Sequence, residues 1–167
     1  NDNSIFGKII FVNFNKEYEI YSKGHRNVQG LLIDKNNIIS TEHGPKGGDE
    51  INKIEYNKNY GWPIASYGER YDKKYLKKHK TYLKSHIDNN FTEPIYSFVP
   101  SIGISEIIKI PNSFSKKWQD NYLLSSLNGK SLYRMKFSDK FERIIYLEKI
   151  FVGKRIRDLI YDENQNV

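Results

Sequence analysis

Leu31-Leu32-Ile33-Asp34-Lys35-Asn36-Asn37-Ile38-Ile39-Ser40-Thr41 holds two short apolar runs on either side of the polar link Asp34-Lys35-Asn36-Asn37. Runs this short, bounded by Asn and Asp and rich in Ile, read as two strands joined by a tight turn. The phrase returns at Tyr122-Leu123-Leu124-Ser125-Ser126, followed by Leu132-Tyr133-Arg134-Met135. Working outward, the same pattern predicts strands at 8–14, 17–21, 30–34, 37–42, 50–55, 95–99, 105–110, 121–126, 131–137, 143–151 and 156–161. Few windows carry a 3.6-residue apolar stripe, so helix is a minor component. Many short strands at even spacing mean an all-β sandwich, barrel or propeller, and the repeated phrase favours a β-propeller. At roughly 40 to 50 residues per four-stranded blade, about three blades fit in the chain. A closed ring needs four or more, and Val167 follows a strand and its turn where another strand is due. The expectation is a partial propeller domain spanning 1–167.

Composition bounds the function classes. The 167 residues are 38% apolar and 14% aromatic, which fits a packed domain rather than a disordered one. No apolar run reaches the ~18 residues of a membrane span, and the polar start at Asn1 to Ser4 lacks the order of a secretory signal. With no cysteine there are no disulfides or thiolate metal sites. A charge of +7 permits a polyanion partner. The lysines are spread along the chain among abundant Asn, Ile and Tyr, however, and read as a background bias.

Their one dense patch lies in an insertion at 66–93. There Lys73, Lys74, Lys77, Lys78 and Lys80 are interleaved with Tyr71, Tyr75 and Tyr82. Such alternation suits a single-stranded nucleic-acid platform. No neighbouring motif supports that partner, and the favoured reading is a solvated inter-strand excursion with one helical turn around 73–83, without nucleic acid.

Three stretches carry chemistry. Gly24-His25-Arg26-Asn27-Val28-Gln29-Gly30 sets four hydrogen-bonding side chains between two glycines. Arg26 offers a planar fork for carboxylates or polarised carbonyls, and Asn27 and Gln29 both donate and accept. Alone, such a loop is more often a structural turn than a ligand site. Thr41-Glu42-His43-Gly44-Pro45-Lys46-Gly47-Gly48-Asp49-Glu50 contains a Gly-Pro bend that would turn carbonyl oxygens outward, as hard cations require, followed by two carboxylates. It matches no EF-hand loop. Asn59-Tyr60-Gly61-Trp62-Pro63 is a rigid aromatic turn, suited to packing between blades.

Taken in order, these stretches resemble the soluble quinoprotein glucose dehydrogenase and aldose sugar dehydrogenase (glucose/sorbosone dehydrogenase) family. Pro100-Ser101 after Phe98 and Arg155-Ile156-Arg157-Asp158 agree with the resemblance, which runs from Gly7 to Asp158. It implies a six-bladed propeller that oxidises a sugar hydroxyl by hydride transfer to pyrroloquinoline quinone (PQQ) with calcium. Carried over, it places Arg26, Asn27, Gln29, Ser101, Arg155 and Arg157 at the cofactor. The backbone carbonyls of Gly44 and Pro45 would hold the cofactor's calcium, with Glu50 and the carbonyl of Tyr60 at a separate structural calcium. It further implies a sugar substrate, an electron acceptor, a periplasmic or secreted location, and allows a homodimer.

The chain departs from the family pattern in three ways. The histidine that serves as general base belongs to an earlier blade outside this chain, and His25 and His43 match other positions. Where members carry a cofactor-contacting lysine, this chain has Asn128, with Lys130 two residues on. The turn Ile102-Gly103-Ile104-Ser105-Glu106 lacks the usual second proline. The chain by itself is therefore expected to show no turnover. The competing expectation is a non-catalytic propeller binding module, since fold does not fix function.

Overall fold

A computed structural model describes residues 4–71 and 81–162. Its strands, in chain order, are β1 (Lys8–Val12), β2 (Tyr18–Lys23), β3 (Val28–Asp34), β4 (Asn37–Glu42), β5 (Asp49–Ile54), β6 (Lys58–Asn59), β7 (Tyr96–Phe98), β8 (Ile104–Lys109), β9 (Tyr122–Ser126), β10 (Ser131–Phe137) and β11 (Ile144–Phe151). Helix among the described residues is limited to 3-10 turns at Ile87–Asn89 and Lys116–Trp118.

The link that opened the sequence reading closes as a two-residue hairpin. Lys35 and Asn36 have φ of 48° and 66°, the type I′ geometry whose twist matches the flanking strands. The Asn37 amide donates to the carbonyls of Asp34 and Lys35, and the register runs Asp34↔Asn37, Ile33↔Ile38, Leu32↔Ile39, Leu31↔Ser40.

The strands form three successive sheets ordered β1-β2-β6, β3-β4-β5-β7 and β8-β9-β10-β11. All pairings are antiparallel except the short β2–β6 contact. This is a series of blades, as expected for about three of them. Two expectations need correction. Residues 156–161 form no strand: within them Ile156 N–H reaches Ser126 O at 3.1 Å, and no ladder follows. Lys58–Asn59, a strand too short for any periodic signal, pairs with β2 instead. The expected helical turn at 73–83 falls mostly on residues 72–80, outside the described residues.

The second and third sheets share one core. Ile39 and Ile51 from one, and Ile104, Ile107, Tyr122, Leu124 and Met135 from the other, are buried together. Each such side chain contributes about 1.5–3 kcal/mol on burial. β10 shows the alternation of a strand with one face in that core, burying Ser131, Tyr133, Met135 and Phe137. Polar contacts pin the sheets at both ends. Thr41 Oγ1 donates to Ser105 O, and His43 Nε2 to Ile104 O, each at 2.5 Å. At the other end Lys109 Nζ and Tyr122 OH meet Asp34 at 2.8 and 2.5 Å.

Candidate functional site

The three chemistry-bearing stretches interlock. Gly24 has φ +80°, and a Cβ there would lie 2.2 Å from Asn59 Oδ1 and 2.6 Å from Gly61 N, so only glycine lets the loops touch. Trp62 N–H donates to Gly24 O at 3.0 Å, and Tyr60 N–H to Lys23 O at 2.8 Å. Arg26 joins the middle stretch: its backbone N–H donates to Glu42 Oε2 at 3.0 Å and its guanidinium to His43 O at 2.9 Å. That guanidinium also sits 5.3 Å from the Trp62 ring, within cation–π range. Arg26 Nε is buried with no hydrogen-bond partner among the described residues.

Gln29 owes its position to a β-bulge. The β3–β4 register jumps from Val28↔Glu42 to Gly30↔Thr41, leaving Gln29 as the extra residue. A bulge re-aims the side chain it adds. Gln29 Nε2 donates to Asn27 Oδ1 at 3.0 Å, and Arg157 donates to Gln29 Oε1 at 3.3 Å. Residues more than a hundred positions apart thus form one chain, Arg157–Gln29–Asn27, beside Arg26. The Ser105 hydroxyl anchors this approach by donating to Arg157 O. Arg155 is exposed two residues earlier in the same segment.

The Gly44–Gly48 loop is drawn into shape by Asp49. This carboxylate is 1% exposed and accepts from Gly44 N–H at 3.1 Å, Ser101 Oγ at 2.7 Å, and Ile102 and Ile104 N–H at 3.0 Å each. It ties the loop to the turn before β8, a role that sequence reading missed. Ser101, expected at the cofactor, gives its hydroxyl to Asp49. A Cβ on Gly44 would meet the carbonyl oxygens of Gly47 and Gly48 at 2.2 Å, so the bend is closed to other residues. Pro45 O accepts from Tyr71 OH at 2.9 Å, which leaves one of the carbonyl's two lone pairs.

Alternation along β5 sends Asp49 and Glu50 to opposite faces, and Glu50 stands directly across from Glu42 in the β4–β5 register. Like charges so opposed repel. Asn52 Nδ2 bridges them, 2.8 Å from Glu42 Oε1 and 3.4 Å from Glu50 Oε2. His25 and His86, both buried, approach Glu42 and Glu50 at 3.7 Å. Burial, and then the Glu42 charge, push the Glu50 carboxyl well above its ordinary range; burial holds His86 below its own. A cavity of about 10 Å³, close to the size of one ion or water, is lined by Glu42, Glu50, Tyr60 and Ser66 among others. The Tyr60 side chain is stacked on His25 at 4.6 Å.

The structure therefore links Arg157, Gln29 and Asn27 in one hydrogen-bonded chain and ties Asn27 and Arg26 to His43, the residue before Gly44. Glu50 and Tyr60 line a small buried cavity that Arg26, His43 and Gly44 line as well. Of the departures noted in sequence, Asn128 is exposed. His43 is committed to Ile104 O, and His25 Nε2 shares a hydrogen bond with Ser22 Oγ at 2.8 Å. Among the described residues, no helix is long and apolar enough to cross a membrane.

The Glucose / Sorbosone dehydrogenase family model matches residues 1–167. Aldose sugar dehydrogenase YliI of Escherichia coli K12 is 30% identical over 145 residues, covering 84% of this chain and 38% of the relative. The crystal structure of the soluble E. coli aldose sugar dehydrogenase, in its apo form, superposes with a TM-score of 0.72 at 27% identity, over 95% of this chain and 44% of that one. The PQQ-bound aldose sugar dehydrogenase of Streptomyces coelicolor shares the fold, with a TM-score of 0.69 at 24% identity, over 93% of this chain and 42% of that one. The chain thus spans about two fifths of the length of these relatives. Its three sheets are blades of the same kind of β-propeller, and the chain belongs to the glucose/sorbosone dehydrogenase family.

Proposed function

We propose that the protein carrying this chain is a PQQ- and calcium-dependent sugar dehydrogenase, and that this chain forms the wall of the site that grips the cofactor. The observation that carries this reading is the hydrogen-bonded chain of Arg157, Gln29 and Asn27, with Asn27 and Arg26 tied to His43, the residue before the Gly44–Pro45 bend. Cationic and amide groups fit a planar, multiply carboxylated quinone, and the buried Arg26 Nε has no hydrogen-bond partner among the described residues. The Gly44–Pro45 bend fits calcium, because a hard cation takes carbonyl oxygens and Pro45 O retains a lone pair.

When bound, PQQ with calcium supplies a hydride acceptor made more electrophilic by a Lewis acid. The chain's residues do the rest. Arg26, fixed by His43 O and the Trp62 ring, holds positive charge where negative charge develops. Asn27, Gln29, Arg155 and Arg157 orient the carboxylates, with Gln29 serving as the link between Asn27 and Arg157. Gly44 and Pro45 present carbonyls to the ion, and Asp49 keeps their loop in register. Glu50 and the Tyr60 carbonyl would hold a second, structural calcium, which would neutralise the facing Glu42 and Glu50. The general base that takes the sugar's proton lies outside this chain. The substrate is an aldose or related sugar, an external electron acceptor is the second partner, and the work is done in the periplasm or outside the cell.

The exposed Asn128, in place of a cofactor lysine, favours a second reading, a non-catalytic binding module of the same fold. Reconstituting the full-length protein with PQQ and calcium and following dye reduction with aldoses separates the two. Turnover with a cofactor spectrum is expected; absence of both overturns the dehydrogenase reading. The 167-residue chain alone is expected to bind weakly and turn over nothing.

A further inference from the structure

The first turn of the 66–93 insertion points three consecutive carbonyl oxygens at one place. Lys84 Nζ meets them all: Ser66 O at 3.4 Å, Tyr67 O at 3.2 Å and Gly68 O at 2.6 Å. An ammonium has three N–H donors and no acceptor, so the match is one donor to each carbonyl. Three carbonyl dipoles aimed at a common point repel one another, and a cation between them removes that repulsion. The residue before Lys84 is tied to the same turn, with Leu83 N–H donating to Ile64 O and Leu83 O accepting from Ser66 N–H, each at 3.0 Å.

What this turn touches gives it meaning. Gly68 is packed so closely on the Gly44–Gly48 loop that a Cβ there would lie 2.4 Å from Gly47 O and 2.8 Å from the Pro45 ring. From the other side, a Cβ on Gly48 would meet Gly68 N at 2.3 Å and Tyr67 C at 2.8 Å. Lys46 and Glu69 exchange both backbone hydrogen bonds, at 3.0 and 2.8 Å. The loop therefore has two supports: Asp49 from within its own sheet and the 66–68 turn from outside.

We infer that Lys84 is a positioning residue for the cation-binding bend. Its ammonium acts as an internal cation that holds the 66–68 turn, and through that turn fixes the Gly44 and Pro45 carbonyls. The inference rests on the calcium reading above only for what those carbonyls bind. The described part of that stretch around 66–68 and Lys84 is then a brace for the site.

Hydrogen exchange of the full-length protein, read over the peptide covering 43–49 with the β10 peptide as control, tests this. In Lys84→Gln, which keeps two donors but no charge, exchange over 43–49 is expected to quicken about tenfold while β10 is unchanged. The calcium concentration that protects 43–49 is expected to rise by a similar factor. In Lys84→Gly, methylammonium is expected to restore protection, and tetramethylammonium, which has no N–H, is not. Unchanged exchange over 43–49 in both variants overturns the inference, as does rescue by both ions alike. If calcium leaves 43–49 unaffected in the unsubstituted protein, the calcium reading fails, and Lys84 is judged on the calcium-free exchange alone.

Discussion

The two ends of the β3–β4 hairpin carry carboxylates in opposite conditions. At the turn end, the Asp34 side chain is 11% exposed and held by Lys109 and Tyr122 from the next sheet. Burial works against its charge, but these hydrogen bonds and the Lys109 charge outweigh it, and the carboxyl sits below its ordinary range. At the open end, Glu42 and Glu50 face each other, and burial and repulsion drive Glu50 the other way. His25 Nδ1, Asn52 Oδ1 and both ring nitrogens of His86 are buried there without hydrogen-bond partners among the described residues. One end is complete by itself and serves folding. The other keeps facing carboxylates and buried polar atoms that are unpaired among the described residues.

That contrast can be broken by substitution. The largest effect is expected at the open end from Gly44→Ala, whose Cβ has no room between two carbonyl oxygens. Displacing the bend by even an ångström is expected to lower sugar oxidation by the full-length protein about 100-fold, read by dye-coupled kinetics. Asp34→Asn attacks the closed end. It is expected to lower unfolding free energy by about 2 kcal/mol, measured by urea denaturation, with cofactor affinity unchanged. The pH dependence follows the same residue. Because its folded pKa is depressed, Asp34 contributes fully above its unfolded value of about 3.9 and loses that contribution as pH falls through the lower folded value. The variant's stability is expected to fall less steeply in that acid range. The smallest effect is expected from Glu50→Gln without calcium. Gln keeps the size of the side chain and removes the charge that faces Glu42, so relief of that repulsion offsets the weakened Asn52 contact, and stability at neutral pH is expected to change by under about 1 kcal/mol. The same variant is expected to lose most of the thermal stabilisation that calcium gives the unsubstituted protein, read as a shift in Tm.

Much of the fold was legible because its signals are local. The Asp34-Lys35-Asn36-Asn37 link predicts a hairpin and forms a I′ turn, and alternation in 131–137 predicts the half-buried β10. What failed was also local: 156–161 has the apolar content of a strand, but after Ile156 its backbone joins no ladder. The site was legible in part. Its motifs, taken in order, pointed to Asn27, Gln29 and Arg157, which the structure links by hydrogen bonds, to the neighbouring Arg26, and to Gly44 and Pro45 in the loop after His43. Composition could not separate Asp49 from Glu50; strand alternation, once β5 is placed, sends them to opposite faces. Nor could it show that Gln29 is a bulge residue or that Ser101 answers to Asp49, because both depend on register between strands distant in sequence.

The most direct test of the account is equilibrium binding of PQQ in the presence of calcium, measured side by side for Gly44→Ala and Asp34→Asn in the full-length protein. The account predicts that Gly44→Ala loses binding while remaining folded, and that Asp34→Asn binds as the unsubstituted protein does at a lower Tm. Normal binding by Gly44→Ala, or equal loss in both variants, would contradict it.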